Sequence, residues 1–173
     1  MLEQLKNRRS CRNYDSNKLV EEEKLNEVIN AGLYAASGMG YQYGIIIAIT
    51  NKETRDKISK LNAKVGGFPQ NVDPFYGAPV ILLVAVKKWR NSPYDGSTMI
   101  ENMMIEATNQ GLGSCWIHRA KEELESEEGK EILKSLNINL DEYEGVGHVA
   151  LGYSLATDIP DKVIKENRVY WIK

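Results

Sequence analysis

The chain has 173 residues, 42% of them hydrophobic and 27% charged, with a formal net charge of −2. That length buries a core without a disulfide or metal staple, and the slightly acidic balance excludes a general nucleic-acid binder, which carries a basic surplus. The two cysteines, Cys11 and Cys115, form no CxxC pair and suit a reducing cytoplasm. The first residues hold no apolar signal core, and no apolar run, 45–49 and 80–86 included, is long enough to span a bilayer. The expectation is a soluble cytoplasmic protein with no nucleic-acid or membrane partner.

Leu2 and Leu5 predict a short helix ending near Arg9. A longer helix follows Glu21, because Leu25, Val28, Ile29, Gly32, Leu33 and Ala36 fall on one stripe. Tyr43 to Thr50 reads as a buried strand and Lys52 to Leu61 as a charged helix. Residues 63–79 are rich in glycine and proline and predict a loop, with a lid as one of its roles. Val80 to Val86 is a continuous apolar run, the pattern of a central strand. Ile100, Met103, Met104 and Ala107 define a helix that stops at Gly111. A short strand over 114–117, a helix over 122–136 and a strand over 146–153 complete the order. The last stretch, 159–173, ends in Val169-Tyr170-Trp171-Ile172, which needs either a partner subunit or the body of the chain to pack on. Helices and strands mix without strict βαβ alternation, so the expected class is α+β.

Lys6, Arg8, Arg9 and Arg12 cluster around Ser10. Arginine forks and a hydroxyl suit a phosphate; a solvated basic face fits the same charges. Ser37 to Gln42 carries two glycines that allow close backbone approach to a planar ligand, or simply a helix stop and tight turn. It is no dinucleotide fingerprint, since the glycines precede a strand. Gly113-Ser114-Cys115-Trp116 lacks the partners of a papain-type nucleophile, and Cys115 with His118 lacks two further zinc ligands, so no metal is expected. His148 sits among apolar neighbours and reads as a core or interface histidine. The acidic pairs, Glu122-Glu123 among them, are explained by helix starts.

The order of these segments carries a resemblance. Arg8-Arg9-Ser10-Cys11-Arg12-Asn13-Tyr14 resembles the RRSxRxF opening of the nitroreductase family. Ala35 to Gln42 is similar to its APSGxNxQ segment, and Tyr76-Gly77-Ala78-Pro79-Val80 to its YGAPV strand start. Glu101-Asn102-Met103-Met104, then Gly111 to Ile117, resemble its ENMxLxAxxxGLGSCWI stretch. Leu151-Gly152-Tyr153 and Lys165 to Trp171 resemble its closing motifs.

The resemblance implies a central mixed sheet sandwiched by helices, with 1–173 forming one FMN-binding domain. It implies a homodimer with flavins at the subunit interface, and residues 159–173 are expected to form a C-terminal arm on the partner subunit. By the same resemblance Arg8, Arg9, Ser10 and Arg12 hold the phosphate, ribityl chain and pyrimidine edge of FMN, and Lys165 approaches the phosphate. Ser37, Gly38, Met39, Gly40 and Gln42 reach the flavin bound mainly by the other subunit. Ile117 and His118 line the ring, and Asn62 meets its polar edge. The implied activity is an FMN-dependent oxidoreductase with NAD(P)H or ferredoxin as donor and a nitroaromatic, quinone or related small acceptor. The flavin carries the chemistry, so no side chain is assigned as catalytic; His118 is a substrate-side residue. A flavin-binding protein for storage, sensing or flavin breakdown is the alternative, and a phosphate-ligand module without flavin is a third. The chain departs from the family pattern at Ala36, at Tyr43-Gly44, at His118 and at Ile164, which stand where the family has Pro, Pro-Trp, Gly and Arg.

Overall fold

A computed structural model describes residues 1–69, 71–157, 160 and 162–173. Its central feature is β2 (Val80–Lys87), in which every residue but the last is buried. In chain order the elements before it are α1 (Glu3–Asn7), α2 (Glu22–Leu33), β1 (Gly44–Ile49) and α3 (Lys52–Val65). After it come α4 (Ser92–Asn109), β3 (Gly113–Ile117), α5 (Ala120–Glu125), α6 (Glu127–Leu133) and β4 (Tyr143–Gly152). The strands form one sheet in the order β1-β2-β4-β3, each neighbouring pair antiparallel. The parallel component expected of a mixed sheet is a single bridge, Ser10 to Ser114, on the outer edge of β3.

Alternation along β2 divides the core in two. Ile81, Leu83 and Ala85 face one cluster with Ile58 of α3, Phe75, Leu124 of α5 and Leu133 of α6. Val80, Leu82 and Val84 face the other, with Val28 of α2 and Ile100 and Met103 of α4. Helices therefore cover both faces of the sheet, as an α+β layer arrangement requires. Gly32 lets α2 close on α4: a Cβ there would lie 2.8 Å from Cγ of Met103.

The helix expected over 122–136 is divided. The Ser126 hydroxyl accepts from the Gly129 amide at 3.0 Å and caps α6, ending α5 one residue earlier. The chain at 63–79 also differs from a bare loop. Helix α3 continues to Val65, and Asp73 fastens the turn beyond it. Its Oδ1 accepts from the Ser59 hydroxyl at 2.7 Å and the Phe75 amide at 2.9 Å, and its Oδ2 from the Gly77 amide at 2.8 Å and the Arg55 guanidinium. Arg55 Nε donates to the Ala78 carbonyl at 2.9 Å, and Phe75 is fully buried. Residues 73–78 are thus anchored to α3, which is the opposite of a lid; residue 70 lies outside the described residues.

No regular element occurs in 162–173. Val163, Ile164, Val169, Tyr170, Trp171 and Ile172 are all exposed, Trp171 at 79%. Positions 159 and 161 of the expected arm lie outside the described residues. Among the described residues no helix is long and apolar enough to cross a membrane.

The Asp73 anchor generates a test. Burial pushes its carboxyl up, but the Ser59 and Arg55 hydrogen bonds and the Phe75 amide together hold it below the usual carboxylate range. A carboxylate depressed in the folded state contributes stability above its unfolded pKa, and loses it as pH falls through the folded value. Asp73→Ala is expected to cost roughly 2–4 kcal/mol near neutral pH, because Arg55 is left buried without its main partner. Thermal unfolding of wild type and variant should converge in acid, as pH falls through and below the usual carboxylate range. A gap independent of pH would refute this account.

Candidate functional site

After α1 the chain extends along the outer edge of β3. The Cys11 amide donates to the Ser114 carbonyl at 2.9 Å, and the Tyr14 hydroxyl donates to the Ala150 carbonyl at 3.1 Å. The Asp15 amide bonds the Tyr153 carbonyl at 2.9 Å, and the Leu155 amide bonds the Asn13 carbonyl at 3.0 Å. In this extended segment Cys11 and Tyr14 are buried while Ser10, Arg12 and Asn13 are exposed. A cavity of about 440 Å³ opens here, lined by Arg9, Ser10, Arg12, Thr108, Gly113 and Ser154 among others. That volume lies within the ordinary range of small-molecule sites.

The arginines differ in commitment. Arg8 is half-buried, its Nε 3.6 Å from Glu101 Oε1. Arg9 donates to the carbonyls of Lys6 at 2.7 Å, Arg8 at 2.9 Å and Pro160 at 3.3 Å. Arg12 is exposed and, among the described residues, makes no side-chain hydrogen bond or ion pair. Burial pushes the Cys115 thiol up, opposed by the Arg12 guanidinium, a hydrogen bond with Ser10 and the Arg8 guanidinium. The cationic field of this segment is therefore directed at the start of β3.

A second cavity, of about 220 Å³, is lined by Gly32, Ala36, Ser37, Gln42, Asp95 and Met99 among others. The turn at 37–42 is held by two bonds: the Gly38 amide donates to Asp95 Oδ1 at 2.9 Å, and the Gln42 amide to the Ser37 hydroxyl at 3.1 Å. Asp95 Oδ2 is buried without a partner. Met39, Gly40 and Gln42 have φ of 56°, 67° and 51°, in the left-handed region. Tyr41 stacks on Tyr43 at 4.8 Å, and both rings meet the edge of Trp89 at 5.5 and 6.0 Å.

The two cavities share no lining residue. Helix α4 touches the second at Asp95 and Met99 and the first at Thr108, a separation of roughly 14–20 Å along its axis. The structure thus brings Arg8, Arg9, Ser10 and Arg12 into one group and Ser37 to Gln42 into another, and holds the groups apart within the chain.

Ile117 and His118 lie at the far end of β3, roughly 10 Å from Ser114. His118 is exposed and stacks on Trp116 at 5.9 Å. Since the Ser114 carbonyl faces the outer edge, the two-residue alternation of an antiparallel strand turns the Trp116 peptide to the same edge. Asn62 departs from its expected place. It is 1% exposed, and its amide nitrogen donates to the His118 carbonyl at 2.8 Å and to Glu123 Oε1 at 2.6 Å. Its side chain is turned into the core and lines neither cavity, because both donors are used internally. Lys165 is exposed on the tail and also lines neither.

Three groups escaped the sequence reading: Glu101, which faces Arg8; Asp95, which holds Gly38; and Glu123, which is buried with His148. Asp95 follows Pro93 in the first turn of α4, and Glu123 lies in the first turn of α5, so each had a sufficient explanation in helix-start electrostatics. Among the described residues no group of three His, Cys, Asp or Glu side chains could hold a metal ion.

The sequence model of the nitroreductase family matches residues 5–66 and 69–153. No match is found among curated proteins. Among solved structures, the chain is similar to a nitroreductase with bound FMN from Bacteroides fragilis, at 29% identity and a TM-score of 0.87, covering 99% of this chain and 97% of that one. A nitroreductase with bound FMN from Desulfitobacterium hafniense shares the fold at 21% identity and a TM-score of 0.85, covering 99% and 97%. A nitroreductase family protein from Clostridium difficile is 28% identical with a TM-score of 0.69, covering 92% and 86%.

The 37–42 turn makes a prediction of its own. A Cβ on Gly38 would lie 2.5 Å from the Trp89 ring, whereas one on Gly40 meets nothing within 4 Å and suffers only from its φ of +67°. Gly38→Ala should therefore cost about 1–3 kcal/mol and shift tryptophan emission, while Gly40→Ala costs about 1 kcal/mol and leaves emission unchanged. Identical emission from both variants would show that Trp89 does not pack on this turn.

Proposed function

Because the chain belongs to the nitroreductase family, we propose that it is an FMN-dependent oxidoreductase acting as a homodimer. It takes electrons from NAD(P)H or ferredoxin and delivers them to a nitroaromatic, quinone or related small acceptor. The observation that carries the reading is the cavity at the β3 edge, where Arg12, among the described residues, is uncommitted beside Arg9 and Ser10.

The residues present suit FMN. Arg12, Arg9 and Ser10 hold the phosphate, since charge-assisted forks and a hydroxyl match its oxygens. Arg8, tied to Glu101, supports them from behind. Ile117 and His118, at the end of β3, would line the ring, and the Trp116 peptide on the open edge would offer it a backbone donor. His118, stacked on Trp116, forms the wall on the substrate side. The turn at Ser37, Gly38, Met39, Gly40 and Gln42 lines a separate cavity that shares no residue with the arginine cluster's, and meets the flavin bound by a second copy. A two-fold axis makes that exchange reciprocal. The arm, 159–173 with Lys165, packs on the second copy and brings a cation toward the phosphate. When bound, FMN supplies two-electron chemistry that the protein only positions and tunes. The protein's own part is to fix the phosphate, present backbone donors to the ring edge and leave one face open to donor and acceptor.

Purified protein should carry FMN rather than FAD, read by acid release and chromatography. Charge-assisted bonds are worth about 1.5–3 kcal/mol each, so Arg12→Ala should weaken FMN by roughly tenfold or more, while Arg90→Ala, outside the cavity, should not. Equal affinities for the two variants would remove Arg12 from the site. Reduction by NADH or NADPH is followed by loss of oxidised-flavin absorbance; failure of both with success of reduced ferredoxin selects the protein donor.

The arm gives a second test. Deleting residues 160–173 should convert the dimer to monomer or aggregate and lose flavin, read by light scattering and absorbance. A truncated protein that stays dimeric and yellow would show that the arm packs on its own chain.

A further inference from the structure

Beneath the end of β3 lies a polar cluster that the cavity does not use. His148 is 0% exposed and Asn62 and Glu123 are each 1% exposed. His148 Nε2 lies 2.8 Å from Glu123 Oε2, and its Nδ1 lies 3.3 Å from the Ile117 carbonyl. Asn62 joins Glu123 Oε1 to the His118 carbonyl. The two backbone contacts of the cluster end on Ile117 and His118, where β3 stops and Arg119 reverses the chain at φ 84°.

The hydrogen-bond geometry fixes the proton count. A carbonyl oxygen only accepts, so Nδ1 of His148 carries a hydrogen. A ring nitrogen and a carboxylate oxygen at 2.8 Å also need one hydrogen between them, whichever atom holds it. We infer that Asn62, Glu123 and His148 form a buried positioning network, joined by this shared proton, that sets the Ile117 and His118 peptides against the flavin; the inference rests on the functional reading above. None of the three touches the ring. They act through the two carbonyls, one and two residues beyond Trp116 on the open edge.

Glu123→Gln separates geometry from charge. Its carbonyl oxygen still accepts from Asn62, and its amide donates to a neutral Nε2, so both contacts survive. Glu123→Ala and Asn62→Ala break them. Leu124→Ala, a cut in the neighbouring core, is the control for lost stability alone. In FMN-loaded full-length protein, Glu123→Gln and Leu124→Ala should keep the wild-type flavin spectrum and midpoint potential. Glu123→Ala and Asn62→Ala should shift both and lower kcat by about tenfold or more, with a smaller change in KM, as expected when a reacting group is displaced. Side-chain nitrogen-15 NMR of His148 should show hydrogen at Nδ1 in the wild type and in Glu123→Gln, with a strongly deshielded proton between Nε2 and Glu123 in the wild type alone. Wild-type spectrum and potential in Asn62→Ala would reduce the cluster to scaffolding and overturn the inference, and this holds even if Glu123→Ala does not fold. A wild-type His148 without hydrogen at Nδ1, or with no hydrogen-bonded proton between Nε2 and Glu123, overturns the shared proton. A wild-type protein that takes up no FMN removes the functional reading and the inference together, whereas loaded protein with unresponsive variants removes the inference alone.

Discussion

Strand β2 has water on neither face, and much of the structure depends on that. Val80 to Val86 are buried, and a buried strand must pair its peptide groups on both sides. β1 and β4 supply those partners, so β3 is displaced to the edge of the sheet. The two faces of β2 each need an apolar cover, which α2 and α4 give on one side and α3, α5 and α6 on the other. The outer edge of β3 stays open, because the N-terminal segment bridges it only at Ser10. An exposed strand edge offers unpaired peptide groups and invites association. Here it borders the arginine cluster and the larger cavity, so the core dictates where a ligand can be received.

Legibility in the sequence tracks the distance over which each feature is decided. The apolar run of β2 and the α4 stripe are set by neighbours within a few residues, and both lie where periodicity puts them. The Arg8–Arg12 group and the 37–42 turn are also local, so their members were recognisable together. The break between α5 and α6 had a local signal in Ser126, three residues before Gly129, which the run of glutamates obscured. The link from Asp73 to α3 had none, since Ser59 and Arg55 lie 14 and 18 residues away. Asn62 went astray for the same reason: its partner Glu123 is 61 residues on, and only the folded chain shows that its donors are occupied.

Helix α4 acts as a ruler between the two candidate half-sites. Because it is continuous from Ser92 to Asn109, no rearrangement of side chains brings Asp95 and Thr108 together. The second half-site is also incomplete by itself. Asp95 Oδ2 is a buried acceptor without a donor, and Leu33, Tyr34, Met39 and Tyr41 expose apolar surface around it. Grouped apolar exposure of this kind is normally covered by another molecule. The arm presents the complementary problem, an apolar end with nothing beneath it. One symmetric association answers both, which is the physical case for the proposed homodimer.

The cluster under β3 shows why a polar group is kept in an otherwise apolar layer. His148 stands opposite Leu83 in the β2–β4 register and meets the edge of the Phe75 ring at 5.2 Å. Burying a polar pair is costly, and apolar replacements of similar volume are often as stable or better. Such replacements would, however, strip donors from the carbonyls of Ile117 and His118. Those carbonyls arise because β3 must end abruptly: Arg119 turns the chain so that α5 can start at Ala120 and deliver Leu124 to the core. Gly145 stands beneath that turn, where a Cβ would lie 2.2 Å from the Ala120 carbonyl oxygen, so the helix start and β4 are in direct contact. The sharp exit from the sheet creates the need for internal donors, and Asn62 and His148 meet it from α3 and β4. The same exit places His118 outside, stacked on Trp116, at the end of the strand edge that the N-terminal segment leaves open.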